Sequence, residues 1–153
     1  MKDMVMRIKN AITKSGIEVQ LIAYHGLSDK DLSAIITPFT HERGMSWTNN
    51  ERVTWITASL DFIPVGIVAL MIMNKGSECR FKSDVVVSLA RGAGIYQALC
   101  EYRLELARES NATVFTAYAG LMSIGQFKKD GFKEASKGLH GSTYMVYNLT
   151  NSD

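Results

Sequence analysis

The pattern of apolar and polar positions changes several times along the N-terminal third of the chain. Residues 4–12 carry apolar side chains at helical spacing, which predicts a helix that Gly16 ends. Residues 17–23 alternate apolar and polar side chains and predict a first strand. Ser28, with an acidic residue three places on, is typical of a helix N-cap, and Pro38 bends or ends the helix that follows.

The middle of the chain predicts three strands and a long helix. Residues 41–50 are polar and aromatic without a period, so we expect mainly loop there. Residues 53–60 are rich in β-branched and aromatic side chains, and residues 65–73 form a nearly continuous apolar run typical of a central, covered strand. A further strand is predicted over residues 80–89, followed by a helix that begins near Ile95.

The C-terminal third adds two strands around a short helix. The strands are predicted over residues 113–118 and 143–149, and the helix over residues 121–129 ends at Gly131. Consecutive strands that lead into a strand–helix–strand unit indicate an α/β domain. We therefore expect a mostly antiparallel sheet with helices on both faces.

Composition is that of one globular domain. The chain has 153 residues, of which 46% are hydrophobic and 21% charged, so we expect a single domain over residues 1–153. The longest apolar run, residues 63–73, is shorter than the roughly 20 residues of a membrane-spanning helix. Because the N-terminus has no apolar segment typical of a secretory signal, we expect a cytoplasmic protein without a membrane partner.

The charged and sulfur-bearing residues indicate no metal site. The net charge is +2 and no basic face is concentrated in the sequence, which disfavours a nucleic-acid partner without excluding it. Cys79 and Cys100, with three scattered histidines, lack metal-ligand spacing. We expect two reduced, partly buried thiols.

The stretch Arg91-Gly92-Ala93-Gly94-Ile95-Tyr96 joins an apolar strand to a helix that starts at once. The first turn of a helix presents backbone N–H groups without partners at the positive end of the helix dipole, so it can hold a diphosphate. Gly92 and Gly94 let the backbone approach phosphate oxygens and take a positive φ, and Arg91 adds a cation. The same glycines also suit a turn that binds nothing, and the motif alone leaves both interpretations open.

Two other phosphate-binding motifs do not fit this turn. A P-loop has a lysine and a hydroxyl residue after its last glycine, where this chain has Ile95 and Tyr96. The dinucleotide fingerprint has a third glycine, where this chain has Gln97.

From residue 65 to residue 149 the chain resembles the GNAT acyltransferases. That family carries Q/R-x-x-G-x-G/A after its fourth strand. Arg91 and Gly94 match this signature, whereas Tyr96 stands where the family usually has a small residue. Two dipeptides match the family at the opening of a long apolar strand and at the close of a short helix: Val65-Gly66 and Gly131-Phe132.

The resemblance implies the GNAT fold, a mixed and mostly antiparallel sheet of six to seven strands with helices on both faces. The fourth and fifth strands of that fold splay apart, and acetyl-CoA or another acyl-CoA enters the gap. The pantetheine arm would pair with the fourth strand, and the diphosphate would meet the amides of the glycine turn. The cofactor-contacting residues implied are Val86, Val87, Ser88, Arg91, Gly92, Ala93, Gly94, Ile95, Tyr96 and Phe127. An amine would approach from the opposite face.

The chemistry that the resemblance implies is direct attack of a neutral amine on the thioester, with a proton donor for the leaving thiolate. The family often has a tyrosine and an asparagine where this chain has Phe127 and Gly120, so the usual proton donor is absent. Ser123 and Tyr118 are the leading hydroxyl candidates for a catalytic role, and Tyr96 is a third.

Two carboxylates are candidate catalytic bases. Asp84 lies on the strand before the glycine turn, and Glu51 lies near the start of an earlier strand. A structural interpretation competes with each catalytic candidate: Ser123 as a helix cap, Tyr118 as a strand residue that reaches the surface, and both carboxylates as solvated surface groups. His25 and His41 fall in the half of the chain expected to line the acceptor side.

Three functions are compatible with these features. The first is an acetyl-CoA-dependent N-acetyltransferase that acts on an unidentified amine, and the second is a non-catalytic GNAT-fold binding module, suggested by Phe127 and Gly120. The third is an enzyme of this fold that modifies a nucleobase, nucleotide or aminoacyl-tRNA. Its candidate base-contacting residues are Trp47, Trp55, His41 and Arg43. The Met- and Tyr-rich last strand also suggests a homodimer formed by pairing with another chain.

Overall fold

A computed structural model of the chain describes residues 4–41, 46–138 and 141–149. The strands are β1 (Val5–Ile12), β2 (Glu18–His25), β3 (Val53–Leu60), β4 (Ile63–Met73), β5 (Glu78–Val86), β6 (Val114–Ala119), β7 (Lys133–Lys137) and β8 (Thr143–Asn148). The α-helices are α1 (Asp29–Ile36), α2 (Ile95–Glu109) and α3 (Ile124–Lys129). The strands form one sheet in the order β1-β2-β3-β4-β5-β6-β8-β7, in which only β5 and β6 run parallel.

Helices cover both faces of this sheet. On the α2 face, Ile56 and Val68 of the central strands pack in one buried cluster with Leu99 of the helix. On the α1 face, Leu32 packs in another cluster with Trp55, whose side chain is completely buried. Burying each such side chain stabilises the fold by about 1.5–3 kcal/mol. The two buried faces also fix the register of the strands, because a slip of one residue would move the apolar side chains to the wrong face.

The N-terminal segment is a strand, so the helix predicted over residues 4–12 is wrong. β1 pairs with β2 along its whole length. It is an edge strand exposed on both faces, so no buried face imposes a two-residue alternation on its sequence. Gly16, expected to end a helix, lies instead in the turn between β1 and β2, where its N–H donates to Thr13.

A second edge strand, β7, was not predicted. Its sequence Lys-Glu-Ala-Ser-Lys is polar and every residue is exposed, so no apolar pattern indicates it. β8 is consequently paired on both sides, with β6 and with β7. The expectation that the last strand pairs with another chain is therefore wrong, and the homodimer stays a prediction without that interface. The sheet has eight strands instead of six or seven.

Most other elements are confirmed with small shifts. Ser28 caps α1, because its Oγ accepts the Asp31 N–H at 3.1 Å. A 3₁₀ turn, Thr37–Phe39, contains Pro38 and ends that helix. β3 spans the predicted residues, and the long helix begins at Ile95 as expected.

The strand predicted over residues 80–89 is shorter than expected. β5 ends at Val86, and Ser88–Ala90 form a 3₁₀ turn before the glycine turn. In the predicted loop over residues 41–50, the described part has no helix or strand, and residues 42–45 lie outside the described residues. Among the described helices, none is long and apolar enough to cross a membrane.

Candidate functional site

The sheet opens where β5 and β6 separate. The two strands pair from Glu78 opposite Val114 to Phe81 opposite Ala117, and neither is paired with the other beyond that point. β5 nevertheless continues to Val86. Backbone groups of both strands therefore border a gap, which confirms the splay expected between these two strands.

A β-bulge turns β5 beside this gap. The register of β5 against β4 shifts between Lys82 and Val85. Ser83 has a φ of 62°, and its Oγ donates to the carbonyl of Ser46 at 2.5 Å. The extra residue places the side chain of Lys82 on the α1 face and that of Asp84 on the α2 face.

The gap between β5 and β6 is part of a cavity of about 890 Å³ that extends to both faces of the sheet. Its lining on the α2 face includes Phe81, Asp84, Tyr96, Gln126 and Phe127. Its lining on the α1 face includes Thr48, Met71, Arg80, Lys82 and Tyr118. Two molecules that enter from opposite faces can therefore meet between the strands.

The glycine turn forms one end of this cavity. Gly92 and Gly94 have φ values of 85° and 84°, as the sequence predicts, and Gly94 is the N-cap of α2. The first backbone hydrogen bond of α2 runs from the Ala98 N–H to the Gly94 carbonyl at 3.1 Å. The N–H groups of residues 95–97 therefore precede the first hydrogen bond of the helix. No side chain caps them. Arg91 is anchored beside the turn, because its Nε donates to the Val86 carbonyl at 3.0 Å.

The β1–β2 hairpin supports this turn from outside the cavity. A Cβ atom at Gly94 would lie 3.1 Å from the Cβ of Thr13, which is in the hairpin. Lys9 of β1 also pairs with Glu105 of α2 at 2.7 Å across exposed surface. The sequence prediction could not locate this support, because it assigned β1 to a helix.

A buried charge network joins β5 to α2 along the wall of the cavity. Arg103 is completely buried and donates to both carboxylate oxygens of Asp84, at 2.6 and 2.8 Å. The hydroxyl of Tyr96 donates to the same carboxylate at 2.5 Å. Burial, reinforced by the charge of Asp84, raises the pKa of Tyr96. Tyr96 is therefore a neutral hydrogen-bond donor fixed between the strand and the first turn of the helix.

Aromatic rings enclose the other side of Arg103. Its guanidinium lies 4.6 Å from the ring centroid of Phe81 and 5.5 Å from that of Phe127. Phe127 itself is buried against Phe81 and Phe132. The position where the resemblance implies a tyrosine is thus part of an apolar wall with no proton to give.

On the α1 face, Arg80 is the centre of a second polar group. Its Nε donates to Thr116 at 2.8 Å and its Nη2 pairs with Glu78 at 3.1 Å. Burial opposes ionisation of Glu78, but the hydrogen bond from Thr116 and the charge of Arg80 lower the pKa of this carboxyl overall. The guanidinium of Arg80 also lies 5.0 and 5.9 Å from the ring centroids of Tyr118 and Tyr144.

Lys82 is the second cation on this face. Its Nζ donates to the Thr48 carbonyl at 2.8 Å and lies 4.9 Å from the ring centroid of Trp55. Burial lowers the pKa of Lys82. Its contacts are a neutral carbonyl and a ring, and no ion pair with Lys82 occurs among the described residues.

The cavity brings together most, but not all, of the predicted site residues. Of the catalytic candidates, Ser123, Tyr118 and Asp84 line it. Of the cofactor candidates, Val86, Arg91, Gly92, Gly94, Ile95, Tyr96 and Phe127 line it, whereas Val87, Ser88 and Ala93 do not. The carbonyls of Val87 and Ser88 instead accept hydrogen bonds within the 3₁₀ turn.

Glu51 lies elsewhere, in a separate depression that it shares with His25. His41 is exposed and does not line the cleft. Asp84 is held in the ion pair with Arg103, which favours a positioning role for this carboxylate. The Oγ of Ser123 accepts the Gly120 N–H at 3.2 Å, so this hydroxyl is fixed at the entry to α3.

The described residues among those proposed to contact a nucleobase are not assembled into a site. Trp55 is completely buried, and its Nε1 donates to Asn49 at 2.9 Å, so it cannot stack on a ligand. Trp47 packs beside it with ring centroids 5.9 Å apart. Arg43 lies outside the described residues.

Three charged residues in or beside the cavity wall escaped the sequence analysis: Arg103, Arg80 and Lys82. Arg103 falls within the apolar stripe of α2, four residues after Leu99 and three before Leu106. A cation at such a position needs a buried counter-charge. Asp84, on the strand that precedes α2 in the chain, is the residue that supplies it. Arg80 and Lys82 alternate on one strand, but nothing in the sequence shows which face the gap would expose.

Comparison with solved structures assigns the fold. The GNAT domain of S. lividans PAT superposes with a TM-score of 0.73 at 14% identity, covering 93% of this chain and 97% of that one. An acyl-CoA N-acyltransferase from Pseudomonas aeruginosa has a TM-score of 0.63 at 17% identity, covering 84% and 98%. N-acetylglutamate synthase from Neisseria gonorrhoeae, solved with coenzyme A and L-arginine, has a TM-score of 0.64 at 15% identity, covering 86% of this chain and 33% of that one.

Sequence comparison adds no relative. Neither the protein-family models nor the curated proteins give a match. The assignment therefore rests on the arrangement of the strands and helices, with the gap between β5 and β6 and the glycine turn that opens α2. This chain has the GNAT fold, which it shares with solved N-acetyltransferase structures at 14–17% sequence identity.

Proposed function

We propose that this chain is an acyl-CoA-dependent N-acetyltransferase, with acetyl-CoA as donor and an amine as acceptor. One observation carries the proposal: a single cavity joins the uncapped start of α2 to the gap between β5 and β6. Solved proteins of the same fold support acyl-CoA as the ligand, since those from Neisseria gonorrhoeae and Thermoplasma acidophilum were determined with coenzyme A.

The described residues suit an acyl-CoA in three places. The N–H groups that precede the first hydrogen bond of α2, with Arg91 beside them, would hold the diphosphate. The pantetheine arm would lie along the edge of β5 that β6 leaves unpaired, near Val86, as an added strand would. Phe127 gives the arm an apolar wall. When bound, the thioester supplies an electrophilic carbonyl carbon for an amine to attack.

The side chains of the cavity then bind the acceptor, donate a proton and position α2. The acceptor amine is held on the α1 face, opposite the cofactor turn. Ser123 and Tyr118 are the hydroxyls placed to give a proton to the departing sulfur, since Phe127 has none. Asp84 and Tyr96 hold α2 against β5 and so keep the amide end of the helix directed into the cavity.

Two measurements test the proposal. Calorimetric titration with CoA and with acetyl-CoA should show binding, and absence of heat at high micromolar ligand would reject an acyl-CoA function. Release of CoA thiol in the presence of a broad amine panel should show transfer. Ser123→Ala and Tyr118→Phe separate the two hydroxyls, because the variant with lower kcat and unchanged KM for acetyl-CoA identifies the proton donor.

A non-catalytic binding module is the second candidate, and Phe127 is the observation that favours it. Phe127 stands where the family often has a tyrosine, so it lacks the hydroxyl. Its ring is buried against Phe81 and Phe132. CoA binding without acetyl transfer to any amine in the panel would support the module and reject the enzyme.

A further inference from the structure

We propose that the acceptor is an amine that carries one carboxylate, and that Lys82 and Arg80 bind this carboxylate on the α1 face of the cleft. The inference rests on the proposed acetyl transfer, which requires an acceptor on the face opposite the glycine turn. It adds the chemical class of that acceptor, which neither the fold nor the comparisons give.

Strand register places both cations on the same face. Lys82 is opposite Ala69 of β4, which is in turn opposite Trp55 of β3, and side chains opposite one another share a face. Arg80 is opposite Met71, which packs with the cluster under α1. Both cations also line the cavity. They therefore stand where the acceptor, and not the cofactor diphosphate, enters.

The charges around the cavity leave a surplus cation at this place. Asp84 is the one acidic residue among the described residues that line the cavity, and it is bound to Arg103 on the other face. Glu78 neutralises Arg80. Lys82 has no carboxylate partner in the described part of the chain, so the described lining of the acceptor side carries one uncompensated positive charge.

Both cations have donors to spare. Lys82 has three N–H donors, of which one meets the Thr48 carbonyl. Arg80 uses Nε for Thr116 and Nη2 for Glu78, and its Nη1 has no hydrogen-bond partner among the described residues. The side chain of Arg80 is only 20% exposed. An ammonium and a guanidinium this close to apolar walls are better satisfied by an anion than by water.

The single surplus charge favours a carboxylate over a phosphate. A phosphate monoester carries close to two negative charges at neutral pH, and one of them would be left unpaired here. The rings of Tyr118 and Tyr144, with centroids 5.0 Å apart, form an apolar side wall for the rest of the acceptor. An amino acid suits this combination of one anion, one amine and an apolar wall.

The experiment compares three forms of each acceptor: an amino acid, its amide and the corresponding decarboxylated amine. Phenylalanine, phenylalaninamide and phenethylamine make one such set, and CoA release gives kcat/KM for each. We expect the acid to exceed both neutral forms by tenfold or more. Equal values within the set, or higher values with phosphate-bearing amines, would overturn the proposal.

Substitutions assign the preference to Lys82. Lys82→Met should lower kcat/KM for the acid by tenfold or more, with little change for the amide and none in the Kd of acetyl-CoA. Lys82→Arg should restore most of the activity, and Lys133→Met, on the exposed strand β7, should change nothing. Equal losses for the acid and the amide in Lys82→Met would contradict a carboxylate contact.

A direct binding measurement separates this inference from the proposed function. N-acetylphenylalanine is titrated by calorimetry into the protein saturated with CoA, without any turnover. Binding that Lys82→Met weakens tenfold would support the carboxylate site even if no amine were acetylated. Absence of binding in the wild-type protein, or binding that Lys82→Met leaves unchanged, would overturn the site whether or not transfer is found.

Discussion

Arg103 and Asp84 form a two-pronged ion pair in which the guanidinium is completely buried and the carboxylate nearly so. The pair joins the middle of α2 to the bulged part of β5, beside the point where β5 and β6 separate. One guanidinium nitrogen, Nε of Arg103, is buried without a hydrogen-bond partner among the described residues. The pair is therefore costly to bury.

Removing one member of this pair should be severe. Arg103→Leu leaves the carboxylate of Asp84 uncompensated, and we expect a loss of about 3–5 kcal/mol in the free energy of unfolding. Urea denaturation followed by circular dichroism measures this loss. Arg108→Leu, an exposed position on the same helix, is the matched control and should change stability by less than about 0.5 kcal/mol.

The double variant Arg103→Leu/Asp84→Asn separates the contribution of the ion pair to stability from the contribution of the packing of Arg103. Since it removes both charges, it should be more stable than Arg103→Leu alone. A double variant no more stable than the single one would show that packing against Phe81 and Phe127, and not the charge, is what Arg103 supplies.

The two glycines of the glycine turn should respond differently to alanine. Both have φ near 85°, so each substitution costs about 1–2 kcal/mol. Gly92 faces open space, whereas a Cβ at Gly94 meets Thr13 of the hairpin. Gly94→Ala should therefore be the more destabilising of the two in urea denaturation.

Cofactor binding gives the second readout on this turn. Gly92→Ala places a methyl group in the open space of the cleft, and we expect its Kd for CoA to rise about tenfold while the fold is retained. Equal Kd values for Gly92→Ala and the wild-type protein would show that the diphosphate does not lie on this turn.

The sequence predicts those parts of the site whose conformation is set by residues near in the chain, and it misses those set by distant ones. Ser28 and Gly94 were predicted because a cap and a positive φ are local requirements, which the residue type meets on its own. β1 and β7 were not predicted, because both are exposed edge strands whose sequences carry no buried face. The placement of Lys82 depends on a bulge at Ser83 and on the register of β4, and neither is encoded within a short window.

Gly131, the glycine of the Gly-Phe pair, is predicted to be intolerant of substitution for a reason that the structure supplies. Its φ is 104°, and a Cβ there would lie 2.7 Å from Cε2 of Tyr147. We expect Gly131→Ala to cost about 2–4 kcal/mol in the free energy of unfolding. Gly125→Ala, in the open face of α3, is the control and should be neutral or stabilising by up to about 1 kcal/mol. Similar losses in both variants would contradict the clash.

The two thiols should be inert in the folded protein. Cys79 and Cys100 are completely or almost completely buried, and burial raises the pKa of each to about 12. Because the thiolate is the reactive form, a colorimetric thiol reagent at pH 8 should detect neither cysteine in the native protein and two after denaturation. Rapid reaction of either thiol in the native state would contradict this packing.

The same pKa shifts give a sign for the alkaline pH dependence of stability. Above about pH 9 the unfolded chain loses its thiol protons while the folded chain keeps them, so the free energy of unfolding should fall as pH rises from 9 towards 12. Each cysteine contributes a slope of up to about 1.4 kcal/mol per pH unit. Urea denaturation at pH 8, 9 and 10 measures the slope, and Cys100→Ala should reduce it without abolishing it, since Cys79 and, near pH 10, Tyr96 still ionise in the unfolded chain. An unchanged slope in Cys100→Ala would assign the alkaline loss to other groups.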